Sequence, residues 1–136
     1  MAGNGRWQSA PRTIAVGESL LANWADTPHI AATGDGALWV HWLQRSGEGY
    51  AYDVALSRSV DAGFNWSAPV LVNDDGTSSE HGFVSMWPAG NGGLGIAWLD
   101  GRATAAAEPH DDTGSAPHAH AGGAMTLRAA VFDGAF

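Results

Sequence analysis

Two carboxylates, Asp26 and Glu80, stand just ahead of stretches that read as equivalent strands. Carboxyls paired across a cleft are what most glycosidases use as acid and as base or nucleophile, so both are candidate catalytic residues. The loops around them add polar groups suited to a ligand. Asn23 and Trp24 share the first loop with Asp26, His81 follows Glu80, and the run Trp98-Leu99-Asp100-Gly101-Arg102 ends in a guanidinium. That planar fork could take a substrate carboxylate in bidentate fashion, or pair with Asp100 or Glu80 instead. Asn23, Trp24, His81, Asp100 and Arg102 are therefore candidate substrate-binding residues. The competing reading of each carboxylate is a solvated loop side chain.

Other chemistries have less support. His110-Asp111-Asp112 and His118-Ala119-His120 bring imidazoles and carboxylates close enough for zinc. Their neighbours are Ala, Gly, Pro, Ser and Thr, which belong to a loop, and neither a metal site nor a cofactor is expected. His41 alternates with Trp39 and reads as an ordinary strand residue. Cysteine is absent, which excludes a disulfide, a thiolate metal site and a Cys nucleophile. The net charge is -8 and every basic residue is Arg. Such a surface repels phosphate backbones and anionic lipid, so no nucleic-acid partner is expected. No apolar run is long enough to span a bilayer.

The elements that must position these groups are short strands. The 136 residues are 45% apolar with 19 Gly and 7 Trp but only 15% charged, a composition for strands and tight turns. Sustained helical periodicity is missing, so helix is a minor component. An internal repeat organises the chain. Gly36-Ala37-Leu38-Trp39-Val40-His41-Trp42 matches Gly92-Gly93-Leu94-Gly95-Ile96-Ala97-Trp98, and His29-Ile30-Ala31-Ala32 parallels Phe83-Val84-Ser85-Met86. Trp7-Gln8-Ser9-Ala10-Pro11 likewise resembles Trp66-Ser67-Ala68-Pro69-Val70.

The first unit reads as four strands: 28–32, 37–42, 50–59 and 68–73. Gly34-Asp35-Gly36 forms a hairpin turn between the first two. The second unit reads as strands at 82–86, 94–99 and 124–132. It is longer than the first between Trp98 and Asp133, which places an insert at about 100–123. Four antiparallel strands repeated in this way describe a propeller blade; a β-sandwich is the rival.

One motif is specific. Ser59-Val60-Asp61-Ala62-Gly63-Phe64-Asn65-Trp66 is a full match to S-x-D-x-G-x-x-W. The Asp61 carboxylate can accept bonds from the N–H groups of its own turn, Gly63 can turn left-handed, and Trp66 can plug the space beneath. Asn4-Gly5-Arg6-Trp7 looks like the tail of an earlier copy and Asp133-Gly134 like the start of a later one.

With this motif the chain resembles the sialidase-like β-propeller family, whose Asp box, or BNR repeat, has this form. The resemblance implies an all-β fold, here a fragment of about two blades of a six-bladed propeller. Residues 1–20 would carry the last strand of a preceding blade, 21–79 a complete blade and 80–136 an incomplete one. It further implies that Ser59, Asp61, Gly63 and Trp66 are structural, on the face opposite the active site. The expected function is glycoside hydrolysis of sialic-acid-type or related glycans in a secreted or periplasmic parent. The alternative is a non-catalytic propeller that binds a glycan or a protein. The implied partners are a carbohydrate ligand and the remaining blades. Sialidases use three arginines, a Tyr–Glu nucleophile pair and an Asp acid/base. This chain has no Arg-Ile-Pro motif, only Pro11-Arg12 in the reverse order, and its sequence gives neither Tyr50 nor Tyr52 a partner.

Overall fold

A computed structural model describes residues 9–22, 25–105 and 124–133. The chain is all-β in character, with two antiparallel sheets, one short α-helix and one 3-10 turn (Gly90–Gly92) among the described residues. The first sheet is built on β3 (Leu38–Arg45) and β4 (Tyr52–Ser59), paired along their whole length from Leu38↔Ser59 to Arg45↔Tyr52. The two-residue β5 (Val70–Leu71) flanks β4. The free edge of β3 is shared by two segments in line. β1 (Leu20–Leu21) pairs with Leu43 and Gln44, and β2 (His29–Ala32) pairs with Leu38 to His41. The chain thus leaves this edge after Leu21 and rejoins it at His29. Residues 9–19 form no strand, and Trp7 lies outside the described residues, so the strand expected there is not among the described elements.

The second sheet is β6 (His81–Pro88), β7 (Leu94–Asp100) and β8 (Thr126–Phe132). A single-turn helix, α1 (Arg102–Ala105), follows β7. Of the insert expected at about 100–123, residues 106–123 lie outside the described residues, together with the His110 and His118 motifs.

Strand alternation sets the two faces of the first sheet. Trp39, Leu43, Tyr52, Val54 and Leu56 point to one side, where Val84, Leu94, Ile96 and Trp98 of the second sheet complete a shared core. Val40, Trp42 and Ala55 point to the other, under Ala15 and Trp66. Both faces of β3 and β4 are covered, which explains the near-continuous apolar run Leu38 to Leu43. His41 lies in β3 on the Trp39 side, fully buried, with neither ring nitrogen hydrogen-bonded. Burial, then the neighbouring His29, lowers its pKa from 6.5 to about 4.

The turns follow their residues. Asp35 accepts from Thr33 Oγ1 at 2.6 Å and from Ala37 N at 3.1 Å, closing the β2–β3 turn, and pairs with Arg58 at 2.7 Å. In the β4–β5 turn, Asp61 Oδ1 accepts from Asn65 N at 2.8 Å and from Ser59 Oγ at 2.9 Å. Asn65 Nδ2 donates to Asp61 Oδ2 at 2.7 Å, and Trp66 Nε1 donates to Gly63 O at 3.2 Å. The bonds to its carboxylate lower the Asp61 pKa to about 2, the Asn65 backbone contributing most. Gly63 has φ +84°, as the spacing requires, and Ala62 before it is also left-handed at 58°. Trp66 is half-buried.

Candidate functional site

The end of the sheets opposite the Asp61 turn gathers a group of polar side chains from several elements. Tyr52 opens β4 and Asp61 lies just beyond its close, so the two ends are roughly 23 Å apart along the strand. Tyr52 also joins the sheets: its N–H donates to Ser79 O at 3.1 Å, and it forms a parallel bridge with Glu80. The Tyr52 hydroxyl donates to Glu80 Oε1 at 2.7 Å. Burial, then this bond and the charges of Glu80 and Asp26, push the Tyr52 pKa well above the usual phenol range. Sequence reasoning left Tyr52 without a role, because its partner is supplied by another sheet.

Asp26 reaches the same place from the segment between β1 and β2. Its Oδ2 accepts from Phe83 N at 2.6 Å. The bond is possible because β6 slips register against β7 between Gly82 and Ser85, and Phe83 adopts a left-handed φ of 51°. Such a bulge re-aims the backbone and stores strain, which the Asp26 carboxylate stabilises here. A side chain at Gly82 would collide with that carboxylate and crowd the Tyr52 ring, so glycine is needed for the close approach. Asp26 and Tyr52 are only 3% and 2% exposed.

A second knot lies behind Glu80. Arg102 grips Asp100 in bidentate fashion, Nε to Oδ1 at 2.7 Å and NH2 to Oδ2 at 2.8 Å, and its NH2 also donates to Asp74 at 2.9 Å. Arg102 N and Trp98 Nε1 complete the partners of Asp100 at 3.1 and 3.0 Å. Burial raises the Asp100 pKa, but these bonds outweigh it and bring it down to about 2. The fork considered above for a substrate carboxylate is therefore committed to carboxylates of the protein itself. Gly101 N donates to Glu80 O at 2.8 Å, tying the end of β7 to the start of β6.

His81 sits in the middle of this knot, 0% exposed. Its Nδ1 lies 3.1 Å from Tyr52 O and 3.7 Å from Asp53 Oδ1. Its Nε2 faces Asp75 Oδ1 at 3.2 Å and Asp100 Oδ1 at 3.9 Å. Asn73 braces the floor, its amide oxygen accepting from Val54 N at 3.1 Å and its Nδ2 donating to Asp53 at 2.9 Å. Asp75, Asn73 and Asp53 were not singled out from the sequence; the run Asn73-Asp74-Asp75 carried no signal of convergence.

Asp26, Glu80, His81, Asp100 and Arg102 thus lie in contact with one another's neighbours at a single end, while Ser59, Asp61, Gly63 and Trp66 form the turn at the other. Asn23 and Trp24 lie outside the described residues. The chemical resources of this end are a phenol–carboxylate pair, a buried carboxylate beside it, and an imidazole between carboxylates. No helix among the described residues is long and apolar enough to cross a membrane. No family model matches the chain, and no curated protein matches it.

Proposed function

We propose that the chain is a segment of an Asp-box β-propeller from a sialidase-like glycoside hydrolase, with Tyr52, Glu80 and Asp26 as its reacting groups. The observation that carries this reading is the 2.7 Å hydrogen bond from Tyr52 to Glu80, with Asp26 packed against the same glycine as the Tyr52 ring. A phenol paired with a carboxylate, beside a further carboxyl, is the set of groups the family resemblance implies. The propeller part of the reading is supported by the repeat in sequence, by the antiparallel strand order of both sheets, and by the Asp61 turn at the opposite end.

The chemistry follows from the pair. The raised phenol pKa keeps Tyr52 protonated, so its oxygen turns nucleophilic only as Glu80 accepts the proton. The Tyr52 oxygen bonds to the anomeric carbon as the bond to the leaving oxygen breaks, and Asp26 is the carboxyl that protonates that oxygen. Water then releases the sugar through the same groups in reverse. Substrates are sialic-acid-type or related glycans.

The test uses the longest chain that contains this segment, treated with a fluorinated glycosyl fluoride that traps the covalent intermediate. The expected adduct is on Tyr52 by peptide mass spectrometry, absent in Tyr52→Phe, with turnover lost in Glu80→Gln. An adduct on another residue, or full turnover in both variants, overturns the assignment.

The low exposure of Asp26 and Tyr52 favours a second reading, a non-catalytic propeller that binds a glycan or a protein. There the same groups are a latch between sheets. It expects Glu80→Gln to lower stability while glycan binding by the folded protein is unchanged.

A further inference from the structure

We propose that Asp75, His81 and Asp100 form a binding site for a divalent transition-metal ion, independent of the glycosidase reading. Their ligating atoms all lie within 4.8 Å of one another, on the loop after β5, the start of β6 and the end of β7. Two atoms bonded to one ion at about 2.0–2.2 Å, at tetrahedral to octahedral angles, stand roughly 3.0–3.5 Å apart. His81 Nε2 and Asp75 Oδ1 stand 3.2 Å apart. Yet no hydrogen bond joins them: both are buried and neither has a hydrogen-bond partner. At that separation the failure is one of direction. Asp100 Oδ1 lies 3.9 Å from the same Nε2 and completes the group of candidate ligand atoms.

The surroundings prepare the same atoms. His81 Nδ1 meets the Tyr52 carbonyl at 3.1 Å, and a carbonyl can only accept. Nδ1 therefore carries the proton, which leaves the Nε2 lone pair for a metal, the usual outer-shell arrangement of a ligating histidine. The Thr77 hydroxyl donates to Asp75 Oδ2 and leaves Oδ1 to the site. Asp100 is held in one orientation by Arg102 and Trp98; its Oδ1 already accepts from Arg102 N and Nε and stands 3.9 Å from Nε2, which makes it the weaker, third ligand. Charge favours a cation despite Arg102. Asp53, Asp74, Asp75 and Asp100 surround the imidazole or its guanidinium neighbour, against Arg102 and, at the rim, Arg128. One imidazole with carboxylates suits zinc or manganese better than calcium or magnesium. Bound there, the ion ties three segments behind Glu80.

Zinc is the probe, titrated by calorimetry into the metal-stripped full chain. His110, His118 and His120 are replaced by Ala in this background so that they cannot compete for the metal. The expected result is one equivalent bound, with affinity weakened roughly 100-fold or more in Asp75→Asn. A second measurement needs no variant at the site: the Nε2 resonance of His81 in a nitrogen–proton correlation spectrum should move on adding zinc. Absence of binding heat, or an Nε2 resonance indifferent to zinc, overturns the proposal. So does a spectrum in which both ring nitrogens of His81 carry protons, because an imidazolium then occupies the place assigned to the ion.

Discussion

The two ends of β4 are held by opposite means. At the Asp61 end, Ser59, Asp61, Gly63, Asn65 and Trp66 satisfy one another within a single turn. At the Tyr52 end local bonds around Asp100 are joined by long-range ones: Tyr52 to Glu80, Asp26 to Phe83, Arg102 to Asp74. The local end needs only its own sequence and sits half in solvent. The distant end is complete only when both sheets have docked, and it is buried and charged. A lost contact should therefore cost little at the first end and much at the second.

The largest effect should come from Asp100→Ala. It leaves the buried Trp98 N–H without an acceptor and takes from Arg102 its bidentate partner, so that Asp74 alone holds the guanidinium; losing these bonds to a buried carboxylate costs about 3 kcal/mol or more. Urea unfolding measures it; a loss below about 1 kcal/mol would erase the contrast between the ends. Next comes acid. His41 lies where the sheets meet, and its pKa falls from 6.5 unfolded to about 4 folded. As pH drops through 6.5 the unfolded chain takes the proton first. Stability is intact above that value and declines down to about 4, by roughly 3 kcal/mol in all. His41→Leu should flatten this window relative to the parent, and an unchanged slope would remove His41 as the cause.

At the local end, Trp66→Ala should cost about 2 kcal/mol, less than a fully buried Trp because only part of the ring is covered. Gly63→Ala should cost about 1 kcal/mol. A methyl group would meet Leu38 and Trp66 at ordinary contact distance, so only the left-handed backbone resists it. A larger loss for either would mean that the turn supports more than itself.

The same contrast decides what the sequence could reveal. The Asp61 turn was legible because one stretch of eight residues contains all its partners. Strand positions were legible through alternation and through turn formers such as Gly34-Asp35-Gly36, and most strands lie within two or three residues of expectation. That Asp26, Glu80, His81, Asp100 and Arg102 share an end was also legible, since strand direction alone puts them there. Their actual partners were not. The Asp26 bond depends on a register slip at Gly82, and nothing in Gly82-Phe83-Val84 announces a left-handed Phe. Tyr52 and Glu80 meet across two sheets, and Asp75 reaches His81 from a loop whose residues look like plain solvated acids. Burial of His41 beyond hydrogen-bond reach is a packing outcome that periodicity cannot supply.

The edge of β3 shared by β1 and β2 has a consequence for how the chain tolerates change in length. Because Leu21 and His29 pair only two positions apart on β3, the described residues between them contribute nothing to the ladder. Insertions or deletions there leave every strand register intact, unlike one in the β2–β3 turn, which would slide the sheet. The tether at Asp26 narrows the freedom to the stretch between Leu21 and Asp26. Between those two anchors, loop length can change while the scaffold stays fixed.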